Sequence, residues 1–388
     1  MKAAWCIPLL SCALACGGNQ DGPRGSLAQA GAAGTGPIAS AGTSSMGGSA
    51  AGGSGNAAGG TPGGAASVGG HAGMQAVGGS GGSGGVVDPG PLVHPDQRTV
   101  VYLPDWRGSL ATWATKIDFS RITYLNLCFA EVDAAGNVTY ADAGLDAFVA
   151  AAHAKGVKVC MAIGGASVIE NGGVYATVLQ DGMRDTLVNK LGQYATDHQL
   201  DCIDVDLEGN GVNQYYEAFV TSLATKLHSQ NKEMTSAVSS WFGDKITDKA
   251  IQSFDFINIM AYDLHNPGGS AQPVQSSSIA ESTAEVEYWI GRGLAKNKAV
   301  FGVPFYGYRW AASKSEALTY ADILSQNPAA ATADQVELGG STVFLNSRAT
   351  IAAKAVLAKT YGGIMVWELG QDAPGEASLL KAIADATQ

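Results

Sequence analysis

Asp201-Cys202-Ile203-Asp204-Val205-Asp206-Leu207-Glu208 places four carboxyl groups within eight residues. From Asp204 to Glu208 polar and apolar residues alternate, and a period of two belongs to a strand. Asp204, Asp206 and Glu208 then share one face, and Ile203, Val205 and Leu207 share the other. Residues two apart on a strand are roughly 6.5–7 Å apart along it, so each carboxyl group feels the next. In surroundings poor in water such a row cannot all ionise. Burial and like charge raise at least one pKa, which leaves a carboxylic acid able to donate a proton near neutral pH. Two plainer readings compete. A helix-loop-helix calcium loop counted from Asp204 has its sixth-position glycine at Gly209, but Tyr215 stands where the twelfth-position glutamate belongs. A solvated acidic strand would not carry Ile, Val and Leu on its other face. The chemistry this row supports is general acid catalysis.

The elements that must hold the row alternate in type. Apolar strand patterns fall at residues 100–103, 122–130, 157–163, 201–208, 234–240, 256–262, 299–305 and 362–367. Helical patterns lie between them: 143–155 with Asp142 as N-cap, one long helix over 177–198, then 215–228, 283–293 and 377–387. A hairpin-like excursion over 132–140 turns at Ala135-Gly136-Asn137. Eight strands alternating with helices over residues 98–388 predict an α/β fold, a (β/α)8 TIM barrel. An open doubly wound sheet would want a glycine-rich phosphate loop after its first strand, and Pro104-Asp105-Trp106-Arg107 is not one. Residues 310–346 form the longest connection and are too short for a full extra domain.

Upstream, the composition changes. Lys2 and the apolar run 3–15 read as an export signal, too short to span a bilayer as a permanent helix. Ala13-Leu14-Ala15-Cys16-Gly17 resembles a bacterial lipoprotein cleavage site, with lipid on Cys16 and membrane attachment through it. Cys12 is a second candidate, and an ordinary secretory leader is the alternative. Residues 17–97 are Gly, Ala and Ser with almost no large apolar side chain, a spacer that cannot offset its chain entropy by burial. Its mean reach is about 50 Å. The expected organisation is a leader at 1–16, a disordered spacer at 17–97 and a catalytic domain at 98–388, exported and monomeric.

The net charge of −11 argues against a nucleic-acid partner. The histidines, His71, His94, His153, His198, His228 and His265, have no ligand spacing, so neither metal nor cofactor is indicated. Cys128, Cys160 and Cys202 fall in apolar runs and read as buried thiols, with one disulfide among them as the alternative.

The row Asp201-x-x-Asp204-x-Asp206-x-Glu208 resembles the D-x-x-D-x-D-x-E signature of the family 18 glycoside hydrolases, the chitinases and their relatives. Other strand ends agree in the family's order. Ala162-Ile163-Gly164-Gly165 is similar to S-x-G-G, with alanine for serine. Asn258-Ile259-Met260-Ala261-Tyr262-Asp263, Gly302-Val303-Pro304-Phe305-Tyr306-Gly307 and Gly362-Gly363-Ile364-Met365-Val366-Trp367 resemble the signatures of strands six, seven and eight. The resemblance covers residues 98–388 and implies hydrolysis of β-1,4-linked N-acetylglucosamine polymers, with the substrate's own acetamido oxygen as nucleophile. It implies Glu208 as acid, Asp206 as orienter of the acetamido group, Asp204 as its proton partner and Tyr262 as donor to the acetamido oxygen. Trp367 would floor the sugar site. Met260, Asp263, Trp106 and Tyr306 are further substrate-contact candidates, as are Trp241 and Trp310 at the rim. Ala162 removes a hydroxyl near the deep aspartate, for which Ser167 is a candidate substitute. Leu207 replaces a tryptophan common beside the acid in chitinases. The same chemistry serves N-glycan and peptidoglycan endo-glucosaminidases, and the fold also has sugar-binding members without activity.

Overall fold

The computed structural model describes residues 97–265, 273–310 and 316–387. The leader, Cys12, Cys16 and the spacer up to residue 96 lie outside the described residues. The first half of the chain runs β1 (Arg98–Pro104), α1 (Leu110–Lys116), β2 (Tyr124–Val132), β3 (Val138–Thr139), α2 (Leu145–His153), β4 (Lys158–Gly165), α3 (Tyr175–Val178), α4 (Arg184–Asp197) and β5 (Cys202–Leu207). It continues with α5 (Tyr216–His228), β6 (Glu233–Val238), α6 (Asp248–Gln252), β7 (Phe256–Ile259), α7 (Ile279–Gly291), β8 (Ala299–Pro304) and β9 (Tyr306–Trp310). The last elements are β10 (Glu316–Thr319), α8 (Tyr320–Gln326), β11 (Gln335–Leu338), β12 (Ser341–Phe344), α9 (Arg348–Ala358), β13 (Gly363–Trp367) and α10 (Leu379–Thr387).

β1, β2, β4, β5, β6, β7, β8 and β13 pair in parallel in that order, and β13 returns to β1 to close a barrel. This is the (β/α)8 fold. Strands in such a sheet are buried on both faces, so their sequences are nearly continuous apolar runs. The alternation then divides each strand between two cores. Val101 and Leu103 of β1 and Ile203, Val205 and Leu207 of β5 face outward into the layer under the helices. Val100, Tyr102, Cys160, Ala162, Cys202 and Val300 face inward and fill the barrel.

Four expectations change. The long helix over 177–198 is two helices, α3 and α4, because the chain turns at residues 179–183. Gly144, not Asp142, holds the N-cap position of α2. The Asp142 carboxylate instead accepts from the backbone N–H of Gly144 and of Leu110, tying α2 to α1. β7 stops at Ile259, so Tyr262 lies beyond the strand rather than on it. The 310–346 connection, with β9 before it, builds a four-stranded antiparallel sheet in the order β10-β9-β12-β11 beside α8. Alternation there is weak because the strands are only four or five residues long.

Candidate active site

β5 carries the acidic row inward and up the barrel. Asp204, deepest, is fully buried. Tyr102 of β1 donates its hydroxyl to Asp204 Oδ2 at 2.6 Å, and Thr235 of β6 donates to Oδ1 at 2.5 Å. Asn258 Nδ2 donates to the Tyr102 hydroxyl at 3.0 Å, extending the network across the barrel. Burial raises the Asp204 pKa, while Thr235, Tyr102, Asn126 and Asn258 oppose the rise. Asp206 is also buried, and its Oδ1 has no hydrogen-bond partner among the described residues. Burial first, then the charges of Glu208 and Asp204, push its pKa well above the usual carboxylate range. Glu208 is half-buried at the strand's end. Burial, with Asp263 second, raises it to about 7. Burial thus raises all three carboxyl groups of the row, with like charge adding to it at Asp206 and Glu208, and the outermost member keeps a substantial protonated fraction near neutral pH.

The backbone turns sharply after the acid. Gly209 has φ 54, and a Cβ there would lie 2.7 Å from the carbonyl oxygen of Ile169. Lys245 Nζ donates to Gly209 O at 2.8 Å, fixing the strand end from the other side. On β4, Gly164 lies beside Asp206 in register, with φ 103. A Cβ there would lie 2.4 Å from the carbonyl oxygen of Asp206, so this glycine lets β4 approach the row.

Tyr262 and Asp263 follow β7. The Tyr262 ring meets Tyr306 edge-on at 6.4 Å, and its hydroxyl points to Met365 Sδ at 3.9 Å. Asp263 takes a left-handed backbone, φ 56, which aspartate tolerates better than most residues. Its carboxylate accepts from Tyr306 at 2.6 Å and Tyr308 at 2.9 Å. Asp263 thus ties β9 to the post-β7 segment and adds charge beside Glu208. Met260 is half-buried and packs against both cores.

Aromatic rings line the other side. Trp367, at the end of β13, meets Tyr102 edge-on at 5.5 Å and Phe129 at 6.2 Å. Trp106 stacks on Phe129 at 6.4 Å and is 46% exposed, at the outer end of this strip. Arg107, next to Trp106, donates from Nε at 2.8 Å to the buried carboxylate of Glu368, next to Trp367. That ion pair joins the segments bearing the two tryptophans. Trp241 is 48% exposed, whereas Trp310 is buried and does not cap an open rim.

The structure therefore gathers Asp204, Asp206, Glu208, Tyr262, Asp263, Tyr306, Met260 and Trp367 around one barrel, with Trp106 outermost. Asp201 stands apart from the row. Its carboxylate accepts from the backbone N–H of Val159 at 2.8 Å and bonds His153, joining β5 to β4. Ser167 does not replace the missing serine, since its hydroxyl is directed to the Gly164 carbonyl oxygen at 3.4 Å. Tyr102 and Thr235 do that work. Sequence reading overlooked both, although each has inward strand parity. It also overlooked Tyr308, two residues beyond Tyr306 on the same strand face. Cys160 and Cys202, in register on β4 and β5, form a disulfide two residues below Asp204, and Cys128 is the buried free thiol. Of the alternatives for the three cysteines, the structure takes the single bridge. Among the described residues no His, Cys, Asp or Glu cluster is arranged to hold a metal ion.

The chain is similar in sequence and in fold to several known proteins. A chitinase-like effector of Moniliophthora roreri is 30% identical over 247 residues, 56% of this chain and 60% of the relative. The match thus spans about three fifths of that relative's length. The solved chitinase ChiB of the Flavobacterium johnsoniae chitin utilization locus superposes with a TM-score of 0.69 at 32% identity, covering 75% of this chain and 94% of that one. A chitinase-like agglutinin of Robinia pseudoacacia shares the fold, with a TM-score of 0.65 at 19% identity over 74% of this chain and 99% of that one. The model of glycosyl hydrolases family 18 matches residues 98–372, and with the barrel closed around that acidic row, the chain belongs to this family.

Proposed function

We propose that this chain hydrolyses β-1,4-linked N-acetylglucosamine polymers, chitin first, by a substrate-assisted retaining mechanism. The observation that carries the reading is Glu208, a half-buried acid raised to about 7 at the mouth of a row of buried carboxyl groups. Glu208 protonates the glycosidic oxygen as the bond to the anomeric carbon breaks. The acetamido carbonyl oxygen of the same sugar attacks that carbon, forming a bicyclic oxazolinium ion. Asp206 accepts a hydrogen bond from the acetamido N–H and stabilises the positive charge, with Asp204 behind it. Tyr262 donates to the acetamido oxygen. Glu208, now ionised, takes a proton from water as that water opens the ring from the face the leaving group left. Trp367 offers an indole face to the apolar face of the pyranose, and Trp106 extends that surface outward. The buried disulfide suits an oxidising compartment, which supports export.

Product analysis on N-acetylglucosamine oligomers tests this reading. Shorter oligomers with retained anomeric configuration are expected, and high-mannose glycoprotein and peptidoglycan run beside them separate the substrate alternatives. Intact oligomers bound without turnover would leave a sugar-binding role instead, the reading that the agglutinin's shared fold keeps in view.

A further inference from the structure

Lys354 lies within α9, outside the barrel wall, with its side chain fully enclosed. A buried ammonium is costly: burial lowers the Lys354 pKa to about 7, while the charges of Asp334 and Glu281 oppose the fall, so the groups its Nζ meets are informative. Its Nζ donates to the Ser277 carbonyl oxygen at 2.7 Å, the Ser277 hydroxyl at 2.8 Å and the Ser282 hydroxyl at 3.1 Å. Three donors meet three acceptors. An ammonium has no lone pair, so it imposes a direction: both hydroxyls accept from it and must donate elsewhere. Both donate to one atom, the carbonyl oxygen of Ala261, from Ser277 at 2.9 Å and from Ser282 at 2.7 Å. Asn346 steadies the arrangement by donating to the Ser277 carbonyl oxygen at 3.0 Å. Ala261 immediately precedes Tyr262 and Asp263. This segment lies past the end of β7 and contains the left-handed Asp263, so it needs support from outside the ladder.

We propose that Lys354 is a positioning residue for hydrolysis: through Ser277 and Ser282 it anchors the Ala261 carbonyl, and so sets the Tyr262 hydroxyl where the substrate's acetamido oxygen meets it. The proposal rests on the role of Tyr262 given above. A side chain of Lys354's volume without its charge would fill the same space and leave both hydroxyls free to turn from Ala261. The protonated amine thus supplies direction in addition to the bulk that fills this space.

The test compares Lys354→Met, Tyr262→Phe and the double variant in the full chain. The assays are turnover of an N-acetylglucosamine oligomer and inhibition by a bicyclic thiazoline that mimics the cyclised acetamido group. Lys354→Met is expected to lower kcat roughly 10- to 100-fold, the scale of a small misplacement of a reacting contact, with KM within about threefold. Thiazoline affinity should fall with kcat, and the double variant should be no worse than Tyr262→Phe. Additive losses in the double variant, or a lowered Tm with kcat per folded molecule unchanged, would overturn the proposal. Should Lys354→Met fail to fold, Ser282→Ala carries the same comparison with a smaller change. If Tyr262→Phe leaves kcat and thiazoline affinity unchanged, the reading of Tyr262 fails and the proposal falls with it. If Tyr262→Phe is impaired and Lys354→Met is not, the proposal alone fails.

Discussion

Glu208 keeps a substantial protonated fraction at neutral pH because burial and the Asp263 charge disfavour its carboxylate, and that position sets two measurable consequences. A general acid must carry its proton, so kcat/KM is expected to fall about tenfold per pH unit above about 7, as a pH–rate profile would show. A descending limb that began near pH 5 would contradict it. Glu208→Gln is expected to cut turnover by more than about 10²-fold while preserving oligomer binding, measured by calorimetry. The same substitution bears on stability. The folded pKa is raised above the unfolded value of 4.5, so the fold holds the proton more tightly, and ionisation weakens it as pH rises through that window. Glu208→Gln should therefore match the parent's stability at pH 4 and exceed it at pH 8, by up to about 3 kcal/mol in denaturant titration at the worth of a pKa unit. Tyr102→Phe removes the 2.6 Å donor to a fully buried carboxylate. It is expected to destabilise by roughly 1–3 kcal/mol in denaturant titration and to lower kcat, because the hydrogen bond it removes opposed the rise of the Asp204 pKa, and its loss changes the charge behind Asp206.

At the scale of elements, β4 runs in register beside the row and leaves no room for a side chain where it passes Asp206. Gly164, with φ 103, occupies that position. Gly164→Ala would push a methyl group to 2.4 Å from the Asp206 carbonyl oxygen in a backbone conformation alanine resists. A loss of at least about 2 kcal/mol is expected, with residual folded protein losing kcat as β5 is displaced. Wild-type thermal stability in that variant would show that β4 has slack here. The segment after β7 has the opposite character. Backbone bonds hold its ends, from Met260 to Val238 of β6 and from Leu264 to Ser276, and side chains hold its middle, Ser277 and Ser282 at the Ala261 carbonyl and Tyr306 and Tyr308 of β9 at Asp263. The small antiparallel sheet thus contributes to the site by way of Tyr306 and Tyr308, not only to the barrel's outer wall.

For the whole molecule, all described elements belong to one barrel and its added sheet, and we propose that the preceding residues serve to tether it. Cys16→Ser is then expected to move the protein from the membrane to the soluble fraction, with kcat/KM on soluble oligomers unchanged within about twofold, a change too small to alter the chemistry by more than a few tenths of a kcal/mol. Fractionation showing the parent already soluble would remove the anchor from the account.

Local order was legible from residues alone. Alternation in 204–208 put three carboxyl groups on one face, and the spacing of strand and helix patterns indicated the eightfold barrel. Both follow from the period of the backbone, which the side-chain pattern must match at every strand. What faces what across the barrel was not legible. Tyr102 and Thr235 reach Asp204 from β1 and β6, separated from it by 102 and 31 residues, and only barrel closure brings them there. Lys354 had no visible reason to be polar until Ser277 and Ser282 surrounded it. The end of β7 before Tyr262, the pairing of Cys160 with Cys202 and the burial of Trp310 were likewise decided by packing. Contacts between distant segments depend on register and closure of the whole sheet, and no local periodicity encodes them.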